Sequence, residues 1–376
     1  MTQLFEPFNL QSIPLQNRIV MAPLTRSRSP DDAATEMNAL YYTQRATAGL
    51  IVSEGTPISR EGQGYLFNPG MFTPEQIAGW RLVTNSVHAV GARMFAQIWH
   101  VGRVSHTSIQ AGGIDPVSGT SKVAEGATAF GYDDAGKPAL VATSRPRQLS
   151  TDEVARVVQD FATAAGNAIE AGFDGVEIHG ANGYLHEQFL NPLVNDRTDR
   201  YGAREMEDRL RFTLEVVDAV IAKIGAGRVG IRVSPYGQLF DMPHYDDIAA
   251  TYTALSKALG ERGIAYVHVM DQSGYGMSRG NGGETVSDKI HQLLGAFRQN
   301  MPHTALILAG GMTRARAEQL IGDGVIDLAA FGQPFISNPD LVARLKNGWA
   351  LTEPDRATYY GGDAHGYIDY APHDGQ

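Results

Sequence analysis

Eight short apolar segments rich in β-branched residues recur along the chain, separated by stretches whose apolar residues have helical spacing. Most of these segments are apolar throughout, as is typical of parallel strands covered on both faces. This alternation predicts an α/β fold, and it favours a single closed (β/α)8 TIM barrel over a doubly wound open sheet. The predicted strands are Ile19–Ala22, Leu50–Ser53, Met94–Ile98, Gly175–Ile178, Val229–Val233, Tyr266–Val269, Leu306–Ala309 and Leu328–Phe331.

Three helices are predicted most clearly, over 151–171, 204–224 and 246–259. The first has a capping box formed by Ser150 and Glu153 and a continuous apolar stripe. Two segments fall outside the alternation. Residues 5–16 predict an N-terminal hairpin that caps the lower mouth of the barrel. Residues 101–148 form a long excursion after the third strand, typical of a lid or binding loop, with a strand-like segment at Ala139–Ala142.

Composition excludes several classes of function. The 376 residues include no cysteine, which rules out disulfides, thiolate zinc sites, cysteine nucleophiles and iron–sulfur clusters. His186-Glu187 lacks the second histidine of a zinc motif, so no metal site is predicted. The net charge of −10 disfavours nucleic-acid binding.

The sequence also bears on location and domain organisation. No apolar run approaches the roughly 20 residues that span a bilayer, and the N-terminus has no signal-peptide pattern. We therefore expect a cytoplasmic protein with no membrane partner that is a monomer or a weak homo-oligomer. No segment marks a boundary, so residues 1–376 are predicted to form one domain that includes the excursion.

The active site of a TIM barrel lies at the carboxyl ends of its strands, which limits the candidates to the residues that follow each strand. Glycines follow the seventh and eighth strands, where unhindered backbone N–H groups suit a phosphate, although two ordinary turns explain them equally well. Residues 225–230 match G-x-G-x-x-G, but they follow a helix and precede a strand, which is the reverse of a dinucleotide site. The glycine-rich segment 273–283 is interpreted as a mobile flap or as surface slack.

Four motifs resemble the old yellow enzyme family, and the resemblance extends over essentially the whole chain. They are residues 23–25 (PLT), 97–103 (QIWHVGR), 179–185 (HGANGYL) and the pair 188–192 (QFLNP) with 195–199 (NDRTD). Thr25 is similar to the branch that lacks cysteine at this position and includes N-ethylmaleimide and nitrate ester reductases. The resemblance implies a flavoprotein ene-reductase that binds FMN and uses NADH or NADPH.

The resemblance also implies roles for individual residues. His179 and Asn182 would donate hydrogen bonds to the substrate's carbonyl or nitro oxygen. Tyr184 would supply a proton to the α-carbon, and Thr25 would bond the flavin O4 atom. The implied cofactor residues are Pro23, Leu24, Thr25, Gly55, Gln97, Arg232, Gly310, Gly311, Gly332 and Gln333, and the implied substrate residues are Tyr65, Trp99, His179, Asn182 and Tyr360. Gln333 departs from the family's usual arginine, so the FMN phosphate should be held more weakly or by another basic residue.

The implied reaction passes a hydride from NAD(P)H through flavin N5 to the β-carbon of an α,β-unsaturated carbonyl or nitro compound. Three alternatives stay open at this point. The same site could reduce nitroester or nitroaromatic xenobiotics, with release of nitrite. The glycine turns could instead bind a substrate phosphate in a colourless barrel aldolase or isomerase. A non-catalytic flavin-binding barrel is the third alternative. Substitution of His179 or Tyr184 would then leave the rate of substrate reduction unchanged.

Overall fold

The computed structural model describes residues 3–273 and 286–374. The strands are β1 (Phe8–Leu10), β2 (Ile13–Leu15), β3 (Ile19–Met21), β4 (Leu50–Val52), β5 (Thr56–Pro57), β6 (Met94–Trp99), β7 (Val117–Ser118), β8 (Thr128–Tyr132), β9 (Pro138–Ala142), β10 (Arg147–Gln148), β11 (Gly175–Gly180), β12 (Val229–Val233), β13 (Tyr266–Met270), β14 (Ala305–Ala309) and β15 (Leu328–Phe331). Eight of them pair in parallel in the order β3, β4, β6, β11, β12, β13, β14, β15, and β15 pairs back to β3. This closure confirms the predicted TIM barrel and all eight predicted strands, and it excludes the open sheet.

The helices are α1 (Glu36–Gln44), α2 (Pro74–Ala89), α3 (Thr151–Glu170), α4 (Leu185–Leu190), α5 (Met206–Ile224), α6 (Ile248–Arg262), α7 (Val286–Asn300), α8 (Arg314–Gly322), α9 (Gln333–Ser337) and α10 (Leu341–Asn347). The three predicted helices correspond to α3, α5 and α6. At the start of α3, the Ser150 side chain accepts from the Glu153 backbone and the Glu153 side chain accepts from the Ser150 backbone. The predicted capping box is therefore present.

Alternate residues of the strands divide the core into two layers, as the period of a strand requires. Val20, Leu50 and Phe95 point into the barrel, whereas Ile19 and Ile51 pack against the surrounding helices. The predicted N-terminal hairpin is present as the antiparallel pair β1–β2. Its Leu10, Ile13 and Leu15 join the interior layer and close the barrel at the amino ends of the strands. The open end therefore lies at the carboxyl ends.

The excursion over residues 101–148 contains two small strand pairs. β8 and β9 form an antiparallel hairpin, which includes the predicted strand at Ala139–Ala142. β7 and β10 pair in parallel. Phe130 in β8 exchanges backbone hydrogen bonds with Gly64 and Leu66, on either side of Tyr65. The excursion therefore supports the segment that carries Tyr65.

The structure also bears on the G-x-G-x-x-G segment, the predicted flap and the absence of a membrane span. Residues 226–228 form a 3-10 turn that leads from α5 into β12, at the barrel end opposite the carboxyl ends of the strands. The G-x-G-x-x-G segment therefore lies at the amino ends of the strands, away from the end where the active site of a TIM barrel is expected. The predicted flap lies outside the described residues except for Ser273. Within 3–273 and 286–374, no helix is long and apolar enough to cross a membrane.

Candidate active site

A cavity of about 620 Å³ opens at the carboxyl ends of the barrel strands. Its volume is within the range of about 300 to 1,000 Å³ that is usual for ligand pockets. The predicted site residues that line it are Pro23, Leu24, Thr25, Tyr65, Gln97, Trp99, His179, Asn182, Tyr184, Arg232, Gly310, Gly311, Gly332, Gln333 and Tyr360. No residue of the 101–148 excursion lines the cavity. The excursion supports the lining from behind, because Val101 and Val104 pack with Trp99 and Tyr184, and Arg103 donates to the Phe240 carbonyl group.

Gly55 is the one predicted site residue that lies outside the lining. It lies behind the indole of Trp99, and a Cβ atom at position 55 would come within 2.7 Å of Trp99 Cδ2. The missing side chain therefore makes room for Trp99 in the cavity wall. The contact between Gly55 and the flavin stays a prediction.

His179 is held in a stack of aromatic rings. Its imidazole lies parallel to the Trp99 indole, with the ring centroids 5.6 Å apart, and Trp99 stacks in turn on Tyr65. Burial, followed by the positive charge of Arg232, lowers the pKa of His179 well below its usual value, so the ring is neutral. Its Nδ1 accepts the backbone N–H of Ala181 at 3.3 Å, which places the ring proton on Nε2. His179 therefore provides a neutral N–H donor at the cavity wall.

Asn182 follows β11 in a left-handed conformation with φ of 58°. Its backbone N–H donates to Ser234 Oγ at 2.7 Å, and Ser234 Oγ donates to Glu187 Oε1 at 2.6 Å. Glu187 Oε2 accepts the backbone N–H of Gly183 at 2.6 Å. Burial raises the pKa of Glu187 to about 7, although these donors oppose the rise. A buried carboxyl group therefore anchors the backbone of the 179–185 motif, a role that the sequence analysis did not predict.

The hydroxyl groups of Tyr184 and Tyr65 are hydrogen-bonded to each other at 2.9 Å. The Tyr184 ring packs edge-on against Trp99 and His179, with centroid distances of 4.9 and 5.0 Å. Burial, followed by the interaction with Tyr65, raises the pKa of Tyr184 well above its usual value. The phenol therefore stays protonated at neutral pH and remains a potential proton donor.

A buried polar network lies inside the barrel below the cavity. Gln97 Nε2 donates to Glu177 Oε1 at 2.7 Å, and the other Glu177 oxygen lies 2.8 Å from His268 Nδ1. Burial alone would raise the pKa of Glu177, but His268 and Arg232 outweigh burial and hold that pKa below its usual value. Burial keeps the pKa of His268 below its usual value as well, although the carboxylate of Glu177 opposes this shift. This network fixes the Gln97 amide at the cavity floor.

Glu177 and His268 were missed by the sequence analysis. A signal was available, because each is a polar residue at an inward-facing position of a mostly apolar strand. Inward polar residues near the carboxyl end of a barrel strand point toward the site. A charged residue that is fully buried also needs a partner, which sequence alone does not identify.

The segment 23–26 is fixed by a second buried carboxyl group. Glu54 accepts hydrogen bonds from the Arg26 backbone, the Tyr42 hydroxyl and the Asn68 amide at 3.2 to 3.4 Å. Burial raises the pKa of Glu54 to about 7 despite these donors. Because Arg26 directly follows Thr25, these bonds help to hold Thr25 at the cavity wall.

The C-terminal segment reaches the cavity through the same region. Arg26 donates to the carbonyl groups of Tyr359 and Gly366 at 2.9 and 2.8 Å, and Arg28 donates to Thr358 at 2.7 Å. These bonds bring Tyr360, whose surface is 63% exposed, to the outer rim of the cavity.

The turn after β14 presents bare backbone to the far end of the cavity. Gly310 and Gly311 have φ values of 105° and 54°, and a Cβ atom on Gly310 would lie 2.0 Å from the Asp271 carbonyl oxygen. By contrast, a Cβ atom on Gly311 or Gly332 would meet nothing closer than 3.6 Å. The space in front of these two glycines therefore lets a ligand approach the backbone closely.

Two polar side chains flank this turn. Arg316 in α8 donates to the Gly310 carbonyl oxygen at 2.5 Å and pairs with Asp271 at 2.9 Å. Gln333 is exposed and lines the cavity without a charge. Unhindered glycine backbone at one end, with the Gln97 amide and the Arg232 guanidinium at the other, fits a ligand that joins a phosphate to a flat polar ring. The fold and the site together therefore define a barrel enzyme of the class that binds a phosphorylated ring cofactor.

Comparison with known proteins identifies the class more closely. The model of the NADH:flavin oxidoreductase / NADH oxidase family matches residues 3–352. The chain belongs to this family and is a member of the old yellow enzyme group.

Among curated proteins, the chain is 42% identical over 369 residues to 12-oxophytodienoate reductase 1 of Oryza sativa subsp. japonica, covering 98% of this chain and 92% of the relative. It is 41% identical to flavin oxidoreductase hxnT of Emericella nidulans, covering 98% and 97% of the two chains. Among solved structures, morphinone reductase superposes with a TM-score of 0.93 at 44% identity, covering all of this chain and 97% of the other. A further morphinone reductase structure contains tetrahydroNAD.

These findings confirm the predicted family, cofactor and enzyme class. The protein is an FMN-dependent oxidoreductase that uses a nicotinamide as reductant and acts on a small molecule. The aldolase or isomerase and the non-catalytic flavin-binding barrel are therefore not retained.

Proposed function

We propose that the protein reduces C=C bonds activated by a carbonyl or nitro group. Overall, NAD(P)H and a proton convert the C=C bond to a single bond and release NAD(P)⁺. The β-carbon gains the hydride equivalent and the α-carbon gains the proton. The observation that carries this proposal is the convergence of two neutral N–H donors and one protonated phenol on one cavity wall, from His179, Asn182 and Tyr184.

His179 and Asn182 would bind the activating oxygen. As the hydride arrives at the β-carbon, negative charge accumulates on that oxygen, and fixed N–H donors stabilise it. The stack of His179 on Trp99 and the bond from Ala181 to Nδ1 fix the imidazole before the substrate binds. Because little reorganisation is needed, the donors act at full strength when the charge develops.

The floor and the far end of the cavity would hold FMN. Gln97 and Arg232 offer donors for the polar edge of the ring, Thr25 a hydroxyl group, and Gly311 and Gly332 exposed backbone for the phosphate. The chemistry that bound FMN supplies is the transfer of a hydride equivalent from NAD(P)H to the substrate. The positive charge of Arg232 would offset negative charge that develops at the polar edge of the ring.

Tyr184 would protonate the α-carbon. Its phenol is protonated at neutral pH, and it is still a far stronger acid than the C–H bond that it forms. The bond to Tyr65 gives the hydroxyl a partner that can donate in turn. Tyr65 would therefore help to return a proton to Tyr184.

The names of the relatives support a carbonyl substrate. The compounds in the names 12-oxophytodienoate reductase and morphinone reductase each carry a carbonyl oxygen. We extend this chemistry to α,β-unsaturated ketones, aldehydes and nitroalkenes. The single domain, the cytoplasmic location and the monomeric or weakly associated state stay predictions.

The test uses two isotopic labels under anaerobic conditions. The FMN-loaded enzyme is incubated with cyclohex-2-enone and (4-²H)-NADH, with both C4 positions labelled, or with unlabelled NADH in ²H₂O. We expect the nicotinamide deuterium at the β-carbon and the solvent deuterium at the α-carbon. Turnover of glycerol trinitrate to nitrite without any reduction of the enone would contradict the proposal and favour the nitroester reductase.

A further inference from the structure

The side chain of Gln272 connects Asn182 to another segment of the cavity wall. Gln272 follows β13 by two residues and is only 2% exposed. Its Oε1 accepts the backbone N–H of Gln238 at 3.3 Å, and its Nε2 donates to Asn182 Oδ1 at 2.9 Å. Both ends of this buried amide are therefore hydrogen-bonded.

These two bonds determine which way the Asn182 amide faces. A backbone N–H can only donate, so the end of Gln272 that faces Gln238 must be the oxygen. The end that faces Asn182 must then be the nitrogen, and Asn182 must present Oδ1 to it. The amide nitrogen of Asn182, which is a donor, is the polar end left for the cavity.

The local backbone is built around this arrangement. A Cβ atom at Gly237 would lie 2.9 Å from both amide atoms of Gln272, so the glycine makes room for the side chain. Leu239 and Phe240 follow in the same segment and line the cavity. The Asn182 backbone is fixed independently through Ser234. The bond from Gln272 therefore determines the orientation of the Asn182 side chain, and not the position of its backbone.

We propose that Gln272 is a positioning residue that keeps the N–H end of the Asn182 amide turned toward the substrate oxygen. This inference rests on the proposed function, in which Asn182 binds that oxygen. An amide turned by 180° would place its own oxygen against the substrate oxygen, so one hydrogen bond would be replaced by repulsion. Gln272 would thus select for ligands that accept a hydrogen bond at this position.

The test compares two substitutions and two unreactive ligands. Gln272→Met removes both bonds at similar size and leaves the Asn182 amide free to turn. Gln272→Glu keeps the acceptor for Gln238, but at pH 8 it presents an acceptor to Asn182 as well, which reverses the Asn182 amide. Cyclohexanone can only accept a hydrogen bond, whereas cyclohexanol can also donate. Binding of each is measured from the visible absorbance change of the FMN-loaded protein.

We expect Gln272→Glu to weaken cyclohexanone binding by about 10- to 100-fold and to change cyclohexanol binding by less than about 3-fold. Gln272→Met should weaken cyclohexanone binding by about 2- to 10-fold, since the free amide can still adopt the productive orientation. Equal weakening of both ligands would show a purely structural role for Gln272. Unchanged binding of cyclohexanone in both variants would also overturn the inference.

Asn182→Ala separates this inference from the proposed function. If Asn182→Ala weakens cyclohexanone binding and the Gln272 variants do not, only the role of Gln272 is wrong. If Asn182→Ala leaves cyclohexanone binding unchanged, the oxygen-binding role in the proposed function fails first. The Gln272→Met variant keeps the inference testable if the buried carboxylate of Gln272→Glu prevents folding.

Discussion

Replacing Tyr184 with phenylalanine removes one oxygen atom and leaves the aromatic packing in place. The ring contacts with Trp99, His179 and Phe240, at centroid distances of 4.9 to 5.3 Å, do not involve the hydroxyl group. The substitution breaks the 2.9 Å bond to Tyr65. Tyr65 lines the cavity, where a water molecule can replace the lost partner. We therefore expect a loss of only about 1 kcal/mol in the free energy of unfolding.

The effect on catalysis should be much larger. A positioned general acid contributes about 10²- to 10⁴-fold, and water in the cavity can replace part of that contribution. We expect product formation by Tyr184→Phe to slow by about 100-fold, which corresponds to about 2.7 kcal/mol in the activation free energy. Reduction of the enzyme by NADH needs no proton from this phenol and should change by less than about 3-fold.

Anaerobic stopped-flow experiments separate the two half-reactions. One follows reduction of the enzyme by NADH, and the other mixes reduced enzyme with cyclohex-2-enone and quantifies the saturated ketone. Tyr65→Phe is the matched control, because it breaks the same hydrogen bond and leaves the Tyr184 hydroxyl group in place. It should slow product formation by less than about 10-fold. The reasoning would be refuted if Tyr184→Phe formed product as fast as the parent enzyme, or if the two variants were equally slow.

Three further predictions concern the cofactor and the fold. Gln333→Arg should tighten FMN binding to the apoprotein by about 5-fold and leave riboflavin binding unchanged, since riboflavin has no phosphate; an equal gain for both flavins would argue against a phosphate contact. Ser150→Ala should lower the free energy of unfolding by about 1 kcal/mol and Ser150→Gly by a few tenths, and equal losses in urea titrations would argue against the capping box. The pKa of Glu187 is about 7 in the folded protein against an ordinary 4.5, so its stabilising contribution is complete below pH 4.5 and is lost as the pH rises through about 7. Glu187→Gln should remove this decline, which amounts to about 3 kcal/mol, and parallel pH profiles of stability for the two proteins would contradict the pKa.

The parts of the fold that depend on local pattern were predicted from the sequence. Uniformly apolar strands identified the barrel, and the capping box located the start of α3 because its partners lie three residues apart. In the excursion, the strand at Ala139–Ala142 was predicted but its partner Thr128–Tyr132 was not. Gly131 lowers the strand propensity of the segment Thr128–Tyr132. Only in the folded chain does pairing with β9 compensate for this low propensity.

The parts of the site that depend on distant partners were not predicted. Glu187 acts through Ser234, and Gln272 acts through Asn182, which is 90 residues away. Nothing in the residues around Gln272 indicates that its amide faces Asn182. For Gly55, the resemblance suggested a flavin contact, which stays a prediction, and the structure adds a packing role against Trp99 that the sequence did not indicate.

A crystal structure of the FMN-loaded protein with cyclohexanone bound tests the central claim most directly. The account predicts the flavin ring in the cavity at the carboxyl ends of the strands. It also predicts the ketone oxygen within about 2.7 to 3.2 Å of both His179 Nε2 and Asn182 Nδ2. A flavin bound elsewhere, or a ketone oxygen that contacts neither nitrogen, would contradict it.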